Sequence, residues 1–377
     1  MMRLHRNGMF GWLGWFVGSL AVFAAAPAVS HAGGTIKIDD TRSISIGAGL
    51  RTSFNAIEDQ APNGTSRSKD FALDSFRLYV SGRLPQSVSF EFNTDYDTTP
   101  TGTEDIRVLD GVLKFEFNDY FNVWAGRFLP PSDRSNLSGP YYLNSWDFPF
   151  VQAYPAVFAG RDDGVAIWGQ VGKGQFKYQL GAFDGQTGGP NQSDSLLYAG
   201  RLVLNLWDPE PGYYNSSTYY GDKNVLAVGL TAMTQSDAVG TATTPGDFNG
   251  WSLDVLAERK LGGAGVGTLE GAYYDYSSDN GTLPAVTGAD GNGYFILASY
   301  LLPQKLGVGQ LQPVVRYQSF ETDGANVART RTDVGLNYII NGHNARISAL
   351  FFNENDDSTS ATKVDGTGFK LGLQFQI

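Results

Sequence analysis

The final nine residues, Phe369 to Ile377, alternate between apolar and polar without a break. Phe369, Leu371, Leu373, Phe375 and Ile377 fall on one face of a strand; Lys370, Gly372, Gln374 and Gln376 fall on the other. A strand with one wholly apolar face lies on a core or against lipid. One that carries this pattern to its terminal carboxylate suits a membrane cylinder, where the last strand pairs with the first.

The same alternation recurs along the chain in segments of about ten residues, each ended by turn residues. Ile44, Ile46, Ala48, Leu50 and Phe54 oppose Ser43, Ser45, Arg51, Ser53 and Asn55; Phe76, Leu78 and Val80 oppose Arg77, Tyr79, Ser81 and Arg83. Further segments begin near residues 88, 109, 121, 165, 176, 196, 225, 251, 269, 294, 311, 332, 345 and 367. The expected fold class is therefore all-β, a closed antiparallel transmembrane barrel of about 16 strands. Aromatic residues near the strand ends, among them Tyr96, Phe117, Trp207, Trp251, Tyr338 and Phe351, suit the interfacial girdles of such a barrel.

The connections alternate in length. Short links at 84–87, 118–120, 171–175 and 341–344 are interleaved with long polar ones at 58–70, 129–163, 235–250, 277–292 and 355–366. Short turns at one end and long loops at the other are the asymmetry of periplasmic and external faces. One link departs from this. Residues 208–223, with Pro209, Pro211 and the pair Tyr213-Tyr214, are long yet fall on the short-turn side.

Composition narrows the function. Charged residues are 17%, against about 25% in an average soluble domain. There is no Cys, which excludes disulfides and thiolate metal sites. Arg3 and Arg6, an apolar stretch at 11–29 and the small residues around Ala32 read as a cleaved signal peptide over 1–32. Its removal takes two Arg and no acid, moving the net charge from −11 to −13. That leaves 33–377 as a single barrel domain in the bacterial outer membrane, with lipid as its surroundings. The acidic balance offers no basic stripe for nucleic acid. The three His are His5, His31 and His343, and His343 reads as an exposed residue of a tight turn. No His/Asp/Ser arrangement or His pair results, so neither an enzyme nor a cofactor is expected.

Three stretches carry a family resemblance. Phe76 to Gly82 resembles the Phe-Arg-x-x-Tyr strand of the phosphate-selective porins O and P, allowing for spacing. Asn122 to Phe128, ending Gly126-Arg127-Phe128, resembles that family's Gly-Arg-Phe strand end, and Asp162-Asp163-Gly164 resembles the point where the following loop rejoins the barrel. The resemblance implies a trimeric porin of sixteen strands, with a long loop folded inward and anion selectivity from inward Arg and loop Lys. The loop at 129–163 contains no Lys; its cations are Arg134 and Arg161, beside Asp133, Asp147, Asp162 and Asp163.

Strand parity assigns Arg51, Arg77, Arg83, Lys114, Arg201, Arg316, Arg331, Arg346 and Lys370 to the lumen. It sends Glu91, Asp95, Glu116, Asp254, Glu258, Glu270 and Asp333 there too. At mid-depth on the lipid face each Arg or Lys would cost about 2–4 kcal/mol, which supports the inward placement. Such charges read either as a transverse field across a pore or as salt bridges within its wall. The long loop is too aromatic for disorder: it either packs inside the barrel or lies over the mouth or a neighbouring subunit, and the expected placement is inside, as a constriction with Asp133, Arg134 and Asp147 near its narrowest point. The expected function is passive diffusion of small hydrophilic solutes or ions, anions such as phosphate among them. A structural or adhesive barrel without an open pore is the alternative.

Overall fold

The computed structural model describes residues 33–84, 87–98, 104–152, 160–279, 290–323, 327–357 and 365–377, and the expected signal segment 1–32 lies outside them. Sixteen strands form one ring. The first eight are β1 (Ser43–Ile57), β2 (Asp70–Leu84), β3 (Val88–Thr98), β4 (Glu104–Glu116), β5 (Asn122–Phe128), β6 (Asp162–Val171), β7 (Phe176–Phe183) and β8 (Leu197–Asn205). The second eight are β9 (Val225–Thr241), β10 (Thr244–Lys260), β11 (Val266–Ser278), β12 (Gly291–Leu301), β13 (Gly309–Thr322), β14 (Ala328–Asn341), β15 (Ala345–Asp356) and β16 (Gly366–Gln376).

Every strand pairs antiparallel with its neighbours in the chain, and β16 closes the ring on β1 from Gly368↔Ile57 to Gln376↔Gly49. Closure leaves no open edge in the ring, the condition for crossing lipid with strands. Two short strands lie outside the ring. Gly34–Lys37 pairs with the first residues of β1, and Lys305–Leu306 tightens the β12–β13 turn.

Alternation decides which way each side chain points. Leu371, Leu373 and Phe375 of β16 are exposed to the surroundings, as are Leu202, Leu204 and Ile296. The intervening residues face inward and are buried, among them Gln374, Arg201 and Leu297. The stretch 235–250, expected as a loop, is instead the far end of a hairpin in which β9 and β10 run to Thr241↔Thr244. Beyond the bilayer neither face meets lipid, so the ladder continues without the apolar alternation that marks it in sequence.

The two long connections turn into the barrel from opposite ends. Residues after Phe128 enter from the external end and form one helical turn, α1 (Arg134–Ser138). The Asp133 carboxylate caps it by accepting from the Ser135 N–H, and Gly139 ends it at φ 67°. The segment 206–224 enters from the periplasmic end. Trp124, Trp168 and Phe128 on the wall meet Tyr213 from this segment, with Trp124 and Tyr213 stacked at 4.5 Å. An apolar cluster thus sits in the middle of the barrel, continuous with Leu129, Leu137 and Trp146 of the inward loop.

Candidate functional site: the lumen and its two inserts

The loop tip is gripped through its backbone. Arg51 of β1 donates to the Trp146 carbonyl at 2.6 Å, with its guanidinium 4.0 Å from the indole ring centre. Arg346 of β15 donates to the Leu143 carbonyl at 2.6 Å, Arg316 of β13 to the Asp147 carbonyl at 2.7 Å, and Gln374 of β16 to the Tyr141 carbonyl at 3.0 Å. Two glycines make room for this grip. A Cβ on Gly372 would sit 2.6 Å from the Trp146 ring, and one on Gly49 would sit 2.8 Å from Tyr141. The Asp147 carboxylate is held by Lys370 at 2.7 Å and Arg331 at 3.5 Å. Burial would raise its pKa, but these cations hold it down at about 2.

The start of the loop meets the opposite wall, which is acidic. Asp133 is fully buried and accepts from the Tyr274 hydroxyl at 2.8 Å and from Gln152 at 2.7 Å. Burial and the nearby Asp254 push its pKa up to about 6 despite those hydrogen bonds. Asp254 in turn accepts both terminal nitrogens of Arg201. Glu270 of β11 accepts from Ser217 at 2.8 Å.

Arg134 joins the two inserts. It donates to both carboxylate oxygens of Glu210 at 2.8 and 2.7 Å and to the Ser216 carbonyl at 2.8 Å. Burial alone would raise the Glu210 pKa; the Arg134 guanidinium brings it to about 2. Lys177 donates to the carbonyls of Gly212 and Tyr214, Gln179 to that of Tyr213, and the Tyr213 hydroxyl reaches back to the Leu129 carbonyl at 3.0 Å. Between loop and wall remains a polar gap of about 10 Å³, room for about one water, bordered by Ser135, Asn144, Ser145, Asp147, Glu270 and Arg316.

The three loop residues singled out from sequence all lie inside the barrel, Asp133 and Arg134 fully buried and Asp147 half-buried. Arg51, Arg77, Lys114, Arg201, Arg316, Arg331 and Glu91 are likewise on lumen-facing positions, whereas Arg83 and Glu116 sit exposed at the periplasmic ends of β2 and β4. Most of these charges are paired: Arg77 with Asp95, Lys114 with Glu91, Arg201 with Asp254, Arg316 with Asp333, and Arg331 with Asp333 and Glu354. Arg51 and Arg346 instead contact loop carbonyls, and among the described residues neither pairs with a carboxylate. The acids Asp254, Glu258 and Glu270 come from β10 and β11, across the ring from Arg51, Arg77, Arg346 and Lys370 on β1, β2, β15 and β16.

Sequence reasoning missed Glu210, Lys177, Thr218 and the role of His343. The length of 208–223 on the wrong side of the barrel was the available signal. His343 is half-buried rather than exposed, because that segment and the loop tip both fold against it.

A sixteen-strand antiparallel ring with a loop folded into its lumen is the architecture of an outer-membrane porin. The chain belongs to the phosphate-selective porin O and P family, whose model matches residues 44–377. It is a channel protein of the outer membrane, for small solutes. Solved structures share the fold at low sequence identity. The anion-selective porin from Comamonas acidovorans aligns with TM-score 0.60 and 13% identity, over 89% of this chain and 100% of that one. Outer-membrane expressed OmpT of Vibrio cholerae gives 0.58 and 17%, over 91% and 100%. Salmonella typhi OmpF, in complex with daunomycin, gives 0.57 and 11%, over 91% and 100%. No curated protein sequence matches the chain.

Proposed function

We propose that this protein, exported by the signal at 1–32 and assembled as a homotrimer, carries out passive diffusion of small hydrophilic solutes or ions under control of its inward loop. The constriction is assigned to Asp133, Arg134 and Asp147. The lining is assigned to Arg51, Arg77, Lys114, Arg201, Arg316, Arg331 and Glu91, with Arg83 and Glu116 at its periplasmic mouth. The observation that carries the reading is the way the loop is fastened: its carbonyls and Asp147 are held by removable side-chain contacts from four strands. A ring of about sixteen strands is wide enough for an aqueous channel once such a loop moves.

Transport of anions such as phosphate is the narrower form of this proposal. It is supported by Arg51 and Arg346, which offer guanidinium groups to oxygen acceptors without a carboxylate in contact. The packed lumen supports the second reading, a structural barrel without a pore. Planar-bilayer recording of the whole protein and of a variant lacking 132–150 separates the two. Conductance that rises on deletion supports the channel; silence from both proteins, with the barrel folded, supports the structural reading.

A further inference from the structure

The inner wall holds the loop tip as a chain of peptide groups. Every carbonyl from Leu143 to Asp147 accepts from a wall side chain: Leu143 and Ser145 from Arg346, Asn144 from Asn337 of β14, Trp146 from Arg51 and Asp147 from Arg316. The grip extends to both sides. Gln374 reaches the Tyr141 carbonyl, the Tyr276 hydroxyl of β11 reaches that of Val151 at 3.2 Å, and the Phe150 N–H donates to Gln318 of β13 at 2.8 Å. Backbone groups usually find such partners in a helix or a sheet. Here they find them on the barrel wall, through contacts that any peptide could make whatever its sequence.

Side-chain slots lie between these donors. Tyr141 rests over Gly49 and Trp146 over Gly372, with the Arg51 guanidinium against the indole. Arg329 stands 4.4 Å from the Phe150 ring centre, and Lys370 and Arg331 take the Asp147 carboxylate. Aromatic rings under guanidinium groups and an acid between two cations supply the selectivity that backbone contacts lack. Wall neighbours hold the donors independently of the loop: Asp333 fixes Arg316, Gln312 and Ser348 fix Asn337, and the His343 carbonyl fixes Gln374. Donors fixed in advance lower the ordering cost of binding.

We propose that the inner wall is a binding surface for short aromatic peptides, which the inward loop occupies as a built-in ligand. This names a solute class for the channel and rests on the channel reading above. The loop is tethered at both ends, so it competes at an effective concentration in the millimolar range. A free peptide therefore meets an occupied wall until the loop withdraws. Bare phosphate matches the surface less well. It can satisfy the guanidinium groups, but it leaves the aromatic slots and the amide donors of Asn337 and Gln374 unfilled.

The probe is a synthetic peptide of residues 139–150, capped at both ends and titrated by calorimetry into the detergent-solubilised barrel. The proteins are the unmutated chain, the 132–150 deletion, the deletion carrying Arg51→Met or Arg346→Met, and full-length Trp146→Ala. The deletion is expected to bind the peptide, and the unmutated protein to bind it at least about 100-fold more weakly. Each Arg change weakens binding by about tenfold or more, and Trp146→Ala binds more tightly than the unmutated protein because its loop competes less well. Equal affinity for the unmutated and deletion proteins, or displacement of the peptide by excess inorganic phosphate, overturns the proposal. If the deletion does not fold, Trp146→Ala decides: no gain in peptide affinity overturns it. Planar-bilayer recording keeps the channel reading apart. A silent deletion variant that binds the peptide ends the channel reading and leaves the peptide surface standing; a conducting one that neither binds the peptide nor is blocked by it does the reverse.

Discussion

Replacing Glu210 with Gln tests whether the two inserts are fastened to one another. Arg134 and Glu210 are each 1% exposed, and they form a two-pronged pair inside the barrel. After the exchange Arg134 keeps the Ser216 carbonyl and, at 3.8 Å, an Asp254 already paired with Arg201, but the carboxylate that hydrogen-bonds to it is gone. Removing one partner of a buried pair costs about 3–5 kcal/mol. On the acid side, the net fall of the Glu210 pKa from 4.5 to about 2, chiefly from Arg134 with Lys177 and Tyr219 adding to it, is of the same order, about 3 kcal/mol. A loss of about 3 kcal/mol, the lower end of that range, shifts the balance between plugged and displaced inserts by roughly 150-fold.

The sign with pH is fixed by the same shift. The Glu210 pKa is depressed, so its contribution is complete above about pH 4.5 and fades as pH falls towards 2. The assay is single-channel recording at pH 7.5 of the unmutated protein, Glu210→Gln, Arg134→Met and the double variant Arg134→Met/Glu210→Leu. Both single variants gain open probability, and the double variant returns part of the way towards the unmutated protein because the buried guanidinium and its carboxylate leave together, while Lys177 loses its nearest acid. Folded Glu210→Gln barrels that conduct no more than the unmutated protein would refute the argument.

Two other substitutions probe the wall. Gly372→Ala places a Cβ against the Trp146 ring, at a strain of about 1–3 kcal/mol, and is expected to raise conductance and shift tryptophan fluorescence. Unchanged values on both counts mean that the loop does not press on β16. On the outer face Leu371→Arg is expected to destabilise the barrel by about 2–4 kcal/mol in lipid, read from denaturant unfolding in vesicles; a loss below about 1 kcal/mol would place residue 371 away from the bilayer centre.

The ring was legible in sequence because lipid on one side and polar contacts on the other impose a period of two on every crossing. All sixteen expected segments correspond to strands, and the closing role of Phe369 to Ile377 is met by β16 on β1. The signal failed where the physical asymmetry stops. Residues 235–250 are hydrogen-bonded strand without a lipid face, so their Thr, Gly and Asp content reads as loop. The inward loop was legible from its length and aromatic content, and parity assigned Arg51 and Arg316 to the inner wall. Parity says nothing about what an inward charge touches. That Arg51 and Arg316 reach backbone carbonyls of the loop depends on where Trp146 and Asp147 come to rest, which is a tertiary fact. The same holds for His343, whose surroundings come from residues 141–142 and 218–220, far from it in the chain.

The seam between β16 and β1 joins positions roughly 300 residues apart, such as Gly372 and Ser53. Four of the side chains gripping the loop tip sit at or next to that seam: Arg346 on β15, Lys370 and Gln374 on β16, and Arg51 on β1. The loop is thus a cross-tie over the join. Contacts between such distant parts of a chain form late, since their loop-closure entropy must first be overcome. Interactions made after the folding barrier slow unfolding more than they speed folding. The inward loop consequently lengthens the lifetime of the closed cylinder: the seam cannot unzip until the loop has let go.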